Sequence, residues 1–193
     1  MKKIFVIGAG LSSSDLIKYL LDNALTLDWT VKVGDLSLDL ARTKVNNHPR
    51  GIAIHFDIND SKQLKDEVVW ADIVVSLLPA FMHPIVAKEC VAHGKHMATA
   101  SYVSDSMKSL DAEAKQKGIT LLNELGVDPG IDHMSAMKVI DEIREKGGNL
   151  LGFISNTGGL IAPESDSNPW NYKFTWNPRN VVLAGQGVAQ FIE

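Results

Sequence analysis

The chain has 193 residues, with 19 basic and 23 acidic side chains, a formal charge of −4, 45% apolar residues and one cysteine. At roughly 150 residues per domain this length allows one full domain and part of another. Average apolarity and modest charge exclude intrinsic disorder, collagen-like repeats and a basic nucleic-acid binder.

In chain order, the N-terminal apolar run is interrupted by Gly8 and Gly10. It falls far short of the ~20 apolar residues of a membrane span, so it reads as a strand. Apolar segments of strand length then recur at Lys3–Ile7, Thr30–Val33, Ile52–Phe56, Ile73–Leu78, His96–Thr99 and Ile119–Asn123. Short, mostly apolar and flanked by Gly, Asp or Pro, they read as strands covered on both faces. Helical segments alternate with them at Leu11–Leu25, Leu36–Asn46, Lys62–Trp70, Pro84–His93 and Ser106–Lys117. This alternation predicts right-handed crossovers and a doubly wound α/β parallel sheet of the Rossmann type, over residues 1–125.

After residue 125 the pattern changes. Asp128-Pro129-Gly130 breaks the chain, Ile131–Glu145 reads as a helix, and Leu150–Gly159 reads as a strand. From Leu160 to Arg179 the text is loop-like, with Pro163, Pro169 and Pro178 among Trp170 and Trp176. Residues 126–193 are therefore expected to begin a second, α+β domain. Cys90 alone forms no internal disulfide and no Cys/His spacing suits a metal, so a cytoplasmic protein without a metal is expected.

Gly8-Ala9-Gly10-Leu11-Ser12-Ser13 lies between the first strand and the first helix, where a dinucleotide fingerprint has to lie. Gly8 permits the tight turn, and Gly10 lets the backbone approach a pyrophosphate facing the helix N-terminus. Ser13 stands where the motif has Gly or Ala, and is small enough for close helix packing. Asp35 ends the second strand, 25 positions after Gly10. A carboxylate there accepts from ribose hydroxyls and repels a 2′-phosphate, selecting NAD over NADP. Asp35 or Ser37 could also cap the second helix. Asp57, ending the third strand, suits either an adenine-side loop or a helix cap. Leu78-Pro79 ends the fourth strand and can cover the nicotinamide side, while His83 suits a helix N-terminus as well as catalysis.

Four further stretches carry a resemblance. Thr99-Ala100-Ser101-Tyr102-Val103-Ser104 is followed by Asn123-Glu124-Leu125-Gly126-Val127-Asp128-Pro129-Gly130-Ile131-Asp132-His133-Met134. Gly158-Gly159-Leu160-Ile161-Ala162-Pro163-Glu164 and Asn168-Pro169-Trp170-Asn171-Tyr172-Lys173-Phe174-Thr175-Trp176 come next. With the glycine loop, Asp35 and the Leu-Leu-Pro turn, these resemble the saccharopine dehydrogenase family, in its glutamate-forming branch. The resemblance implies an oxidoreductase of lysine metabolism that interconverts saccharopine with glutamate and 2-aminoadipate 6-semialdehyde. It implies that Gly8, Gly10, Leu11, Ser12 and Ser13 hold the pyrophosphate and Asp35 the ribose. Leu78, Pro79, Thr99 and Ala100 would then lie beside the cofactor, and Ser101, Tyr102, Val127, Asp128 and Trp176 would contact an amino-acid substrate.

On the residues themselves, Asp128 suits a substrate amine or a cap on the following helix, and Tyr102 and Trp176 suit either contact or core packing. Asp128, His133 and His83 are candidates for proton transfer, with no general base assigned. Thr157 and Ile161 depart from the family's Cys and Pro in a CGGLPAPE-like stretch. Members of the family are considerably longer, so the basic residues that hold substrate carboxylates are expected outside this chain. A related polyamine enzyme, such as carboxynorspermidine dehydrogenase, and a nucleotide-binding module without catalysis are the competing readings. A small-molecule amino-acid partner is expected, with no nucleic acid and no membrane, and a homodimer is left open.

Overall fold

A computed structural model describes residues 1–156, 161–173 and 182. The chain forms two compact units, Met1–Gly147 and Gly148–Glu193. In the first, six parallel strands stand in the order β3-β2-β1-β4-β5-β6. They are β1 (Lys2–Ile7), β2 (Trp29–Asp35), β3 (Gly51–His55), β4 (Ile73–Ser76), β5 (His96–Thr99) and β6 (Leu121–Leu122). The order reverses between β1 and β4, which makes the sheet a doubly wound Rossmann fold, as the alternation predicts.

Each strand's side-chain period of two divides β1 between two cores. Ile4 and Val6 pack with Ile17, Leu20, Leu21, Val31, Val33, Ala41 and Val45 on one face. Phe5 and Ile7 pack with Phe56, Leu64, Val68, Val74, Val86, Cys90 and Met97 on the other. The first core is closed by α1 (Ser14–Asp22) and α2 (Leu38–Val45), and the second by α3 (Ser61–Trp70) and α4 (His83–Ala92). Gly34 is needed at this crossing because a Cβ there would stand 2.8 Å from the Phe56 Cβ, where the Phe5 and Phe56 rings meet edge to face with centroids 5.2 Å apart. Burial pushes the Cys90 thiol up to about 12, which leaves it a packing residue rather than a nucleophile.

Lys32 points into the sheet face and is only 9% exposed. Its ammonium is held by Glu67 and lies 3.8 Å from the centroid of the Trp70 ring. Removing the carboxylate would leave a desolvated cation with an aromatic partner alone. Glu67→Gln is expected to lower stability by about 2 kcal/mol, read as a drop in the urea midpoint at unchanged slope.

Two elements differ from expectation. The single helix foreseen over Ser106–Lys117 is two, α5 (Asp105–Lys108) and α6 (Asp111–Gln116). Ser104 caps the first by accepting from the Met107 N–H, and the Ser109 hydroxyl donates to the Ser106 carbonyl, a local bond that competes with helix propagation. The strand foreseen from Leu150 is absent over residues 150–156; the rest of that prediction, 157–159, lies outside the described residues. Between them α7 (Ile131–Glu145) forms as predicted but buries none of its residues. In the second unit, the described residues contain one short 3-10 turn, Pro163–Ser165, steadied by Lys173 donating to the Ser165 carbonyl. No described helix is long and apolar enough to cross a membrane.

Candidate active site

In a doubly wound sheet the ligand crevice lies outside the carboxyl ends of the strands, at the reversal of order. The expected cofactor residues lie at or just beyond the carboxyl ends of β1 to β5, with Gly8 to Ser13 and Leu78-Pro79 at the reversal itself. The loop after β1 begins with Gly8 at φ +105°, where a Cβ would press on the Leu77 carbonyl at 3.2 Å. Gly10, Leu11 and Ser12 are exposed at the opening of the helical segment, whereas Ser13 is buried and its hydroxyl donates to the Gly10 carbonyl. A Cβ at Gly10 would meet nothing within 4 Å. The fold itself therefore does not require glycine at that point.

Asp35 reaches across from β2 and clasps this loop. One carboxylate oxygen accepts from the Ala9 N–H at 2.7 Å, and the other from the Ser37 N–H at 2.8 Å. Ser37, not Asp35, caps α2 by accepting from the Leu40 N–H. Leu36 projects into solvent next to it, and Lys44 reaches back from α2 to the Ser14 hydroxyl. Asp57 forms a local turn with both nitrogens of Asn59, and the cap of α3 is Asp60. The cap alternative weighed for Asp57 is thus filled by its neighbour three residues on.

At the ends of β4 and β5 the structure assembles a cluster that the sequence reading missed. His83, the first residue of α4, is 2% exposed and turns inward. Its Nδ1 lies 2.8 Å from Ser76 Oγ, and its Nε2 lies 2.7 Å from Ser101 Oγ and 3.1 Å from Thr99 Oγ1. Burial pushes the imidazole down to about 4, so it is neutral at physiological pH. A helix-terminal histidine following a strand that ends in Ser was the available signal; the matching hydroxyls came from a strand beginning twenty residues later.

Beyond β5, Leu125 and Glu124 donate their N–H groups to the Thr99 and Ser101 carbonyls, and Asn123 adds its side-chain amide to the Ser101 carbonyl. This brings the Gly126–Gly130 loop beside Ala100. Gly130 stands at φ +147°, and any Cβ there would collide with the Gly126 backbone. Asp128 does not cap α7: the residue before the helix is Gly130, which offers no side-chain cap, and the Gly130 N–H donates to Asp132. Asp128 and Val127 are exposed, and Tyr102 is 58% exposed, which removes the core-packing alternative for that ring. Asp128, Asp132 and His133 gather at the surface, and the hydrogen bond that the His133 ring donates to the Asp132 carboxylate raises His133 above its ordinary value. Trp176 and Thr157 lie outside the described residues.

A family model described as the saccharopine dehydrogenase NADP binding domain matches residues 4–122, and one described as the saccharopine dehydrogenase C-terminal domain matches residues 126–193. The chain belongs to the saccharopine dehydrogenase family. Over its full length it is 38% identical to a Schizosaccharomyces pombe protein named saccharopine dehydrogenase [NADP(+), L-glutamate-forming], of which it covers 42%. It is 44% identical, over 88% of its length, to alpha-aminoadipic semialdehyde synthase of Arabidopsis thaliana, covering 16% of that protein. The crystallised apo saccharopine dehydrogenase (L-Glu forming) of Saccharomyces cerevisiae superimposes with a TM-score of 0.82 at 38% identity, over 95% of this chain and 40% of that one. The chain thus spans about two fifths of the length of its fungal saccharopine dehydrogenase relatives. A 3-ketoreductase from Actinomadura kijaniata shares the fold alone, at 19% identity and a TM-score of 0.56.

Proposed function

We propose that residues 1–125 are the nucleotide-binding domain, and residues 126–193 the start of the substrate domain, of an oxidoreductase of lysine metabolism. The reaction is the interconversion of saccharopine with glutamate and 2-aminoadipate 6-semialdehyde. The observation that carries this reading is the Asp35-clasped glycine loop at the reversal point of the sheet, with open space over Gly10. When bound, the nicotinamide supplies or accepts the hydride at the carbon of the substrate's secondary amine.

The chain's own residues orient the two partners. Gly8, Gly10, Leu11, Ser12 and Ser13 receive the pyrophosphate at the opening of the helix, where N–H groups lack intrahelical partners. Asp57 borders the adenine side. Leu78, Pro79, Thr99 and Ala100 flank the nicotinamide and exclude water from it. Asp128 attracts the substrate amine, Ser101 and Tyr102 bind its polar groups, and Val127 packs against its chain.

We assign NAD as the preferred nucleotide. Asp35 keeps two of its roughly four lone-pair positions for ribose hydroxyls. Its charge opposes a 2′-phosphate, and exposed Leu36 follows it where a cation would be needed. NADP is the second reading, supported by the names of the relatives and by the Lys44 ammonium, which reaches from α2 to Ser14 at the start of α1. The cytoplasmic reading rests on the lone cysteine; the bovine relative is named as mitochondrial.

The test of the reaction is incubation with saccharopine and NAD, with glutamate and reduced nicotinamide measured together. Equal yields of the two are expected. Turnover of carboxynorspermidine but not saccharopine would move the chain to the polyamine reading. Saturable nucleotide binding without turnover of either would leave a binding module.

A further inference from the structure

Ser76 Oγ is fully buried, and its sole partner among the described residues is Nδ1 of His83. A buried hydroxyl proton needs an acceptor, and a neutral imidazole offers one only at its unprotonated nitrogen. If Nδ1 accepts from Ser76, the ring proton is on Nε2, which donates to Ser101 Oγ at 2.7 Å and more weakly to Thr99 Oγ1 at 3.1 Å. Of the buried hydroxyl protons, only that of Thr99 then lacks a partner among the described residues, the half-buried Ser101 proton being open to solvent. The opposite tautomer strands the Ser76 proton, and it offers a single Nε2 lone pair to two hydroxyls. With the closer Ser101 hydroxyl taking that lone pair, the opposite tautomer leaves two buried protons unpaired, those of Ser76 and Thr99, where the first leaves one.

Ser101 Oγ has no other partner among the described residues, and it is half-buried at the carboxyl edge of the sheet. With an N–H already directed at its oxygen, its own proton points away from the protein. We infer that His83 is a positioning residue that, anchored by Ser76, makes the Ser101 hydroxyl an outward hydrogen-bond donor for a carboxylate of the amino-acid substrate. This rests on the proposed reading of the crevice as the substrate site. The nicotinamide carboxamide oxygen is a second acceptor within the same chemistry, and the test separates the two. Burial that keeps the imidazole neutral supports the arrangement, because an imidazolium would leave Ser76 without an acceptor.

The experiment has two arms on the 193-residue chain. Long-range nitrogen–proton NMR of the histidine rings at neutral pH is expected to show His83 protonated on Nε2 alone, with Ser76→Ala shifting the Nδ1 signal and Ser101→Ala the Nε2 signal. A ring protonated on Nδ1, or on both nitrogens, overturns the inference. In the second arm, NADH and then saccharopine are titrated by calorimetry. Ser101→Ala and His83→Asn are each expected to weaken saccharopine about tenfold, the effect of losing one hydrogen bond to a charged group. His83→Gln, whose amide keeps an N–H near the Nε2 position, is expected to recover most of that loss. The double variant His83→Asn/Ser101→Ala is expected to be no weaker than either single one, because the two act through one contact. Additive losses reduce His83 to a structural role, and a loss confined to NADH transfers Ser101 to the carboxamide; either outcome overturns the inference. A wild-type chain that binds NADH but not saccharopine overturns the ligand assignment, whereas binding of neither defeats the underlying reading. The ring signals judge the polarity of Ser101 in both cases.

Discussion

Asp35→Ala is expected to weaken NADH binding by between ten- and a hundredfold while weakening NADPH less, the range that loss of charge-assisted hydrogen bonds predicts. Two effects combine in it. The buried Ala9 N–H loses its only acceptor among the described residues, so the glycine loop loosens and the chain loses about 2 kcal/mol of stability. The Ser37 N–H is half-exposed and can turn to water, so it contributes less. The second effect is specific to the nucleotide: the ribose hydroxyls lose a carboxylate, and a 2′-phosphate loses a repelling neighbour. Loop damage alone would weaken both nucleotides alike, so equal losses in parallel titrations would refute the ribose role. Asp35→Asn keeps one acceptor oxygen and removes the charge, and is expected to narrow the NADH preference with a smaller stability loss.

Gly130→Ala is expected to open the loop between β6 and α7 without disturbing the nucleotide loop. Its φ of +147° excludes a side chain, and the Cβ would enter the Gly126 backbone. The same few residues bind one another tightly: Gly126 N–H donates to the Pro129 carbonyl, Ile131 N–H to the Gly126 carbonyl, and Asp132 N–H to the Val127 carbonyl. The loop cannot yield at one point while holding the others. A strain of roughly 3 kcal/mol is expected, which corresponds to about a hundredfold faster hydrogen exchange at the Ile131 and Asp132 amides. Amides of Gly8 to Ser13 should exchange at their original rates, since that loop is held by Asp35 and the strands. Saccharopine affinity should fall through displacement of Asp128. Unchanged exchange at Ile131 would mean that the loop has another conformation in solution.

The parts of this molecule legible in the sequence were those governed by local pattern. Uninterrupted apolar runs such as Phe5-Val6-Ile7 announced strands buried on both faces, and β5 (His96–Thr99) and α7 fell on the residues expected. The glycine loop and Asp35 were legible because their spacing follows from one strand-turn-helix unit and the next strand. What the pattern could not reveal was set by packing. Asp35 appeared as a ribose ligand or a cap, yet its carboxylate binds the Ala9 N–H, which lies on a neighbouring strand's loop. His83 suits a helix start and catalysis alike in the sequence, because only tertiary structure brings Ser76, Thr99 and Ser101 to its ring. The division of the Ser106–Lys117 helix falls at Ser109-Leu110, where the Ser109 hydroxyl donates to the Ser106 carbonyl and the Leu110 N–H to the Met107 carbonyl, local bonds that periodicity does not register.

The most direct test is a parallel titration of NADH and NADPH against the 193-residue chain, followed by tryptophan fluorescence and confirmed by calorimetry. Saturable NADH binding, tighter than that of NADPH and reduced by Asp35→Ala, is the predicted result. Failure of both nucleotides to bind, or NADPH binding more tightly and indifferent to Asp35→Ala, would contradict the account.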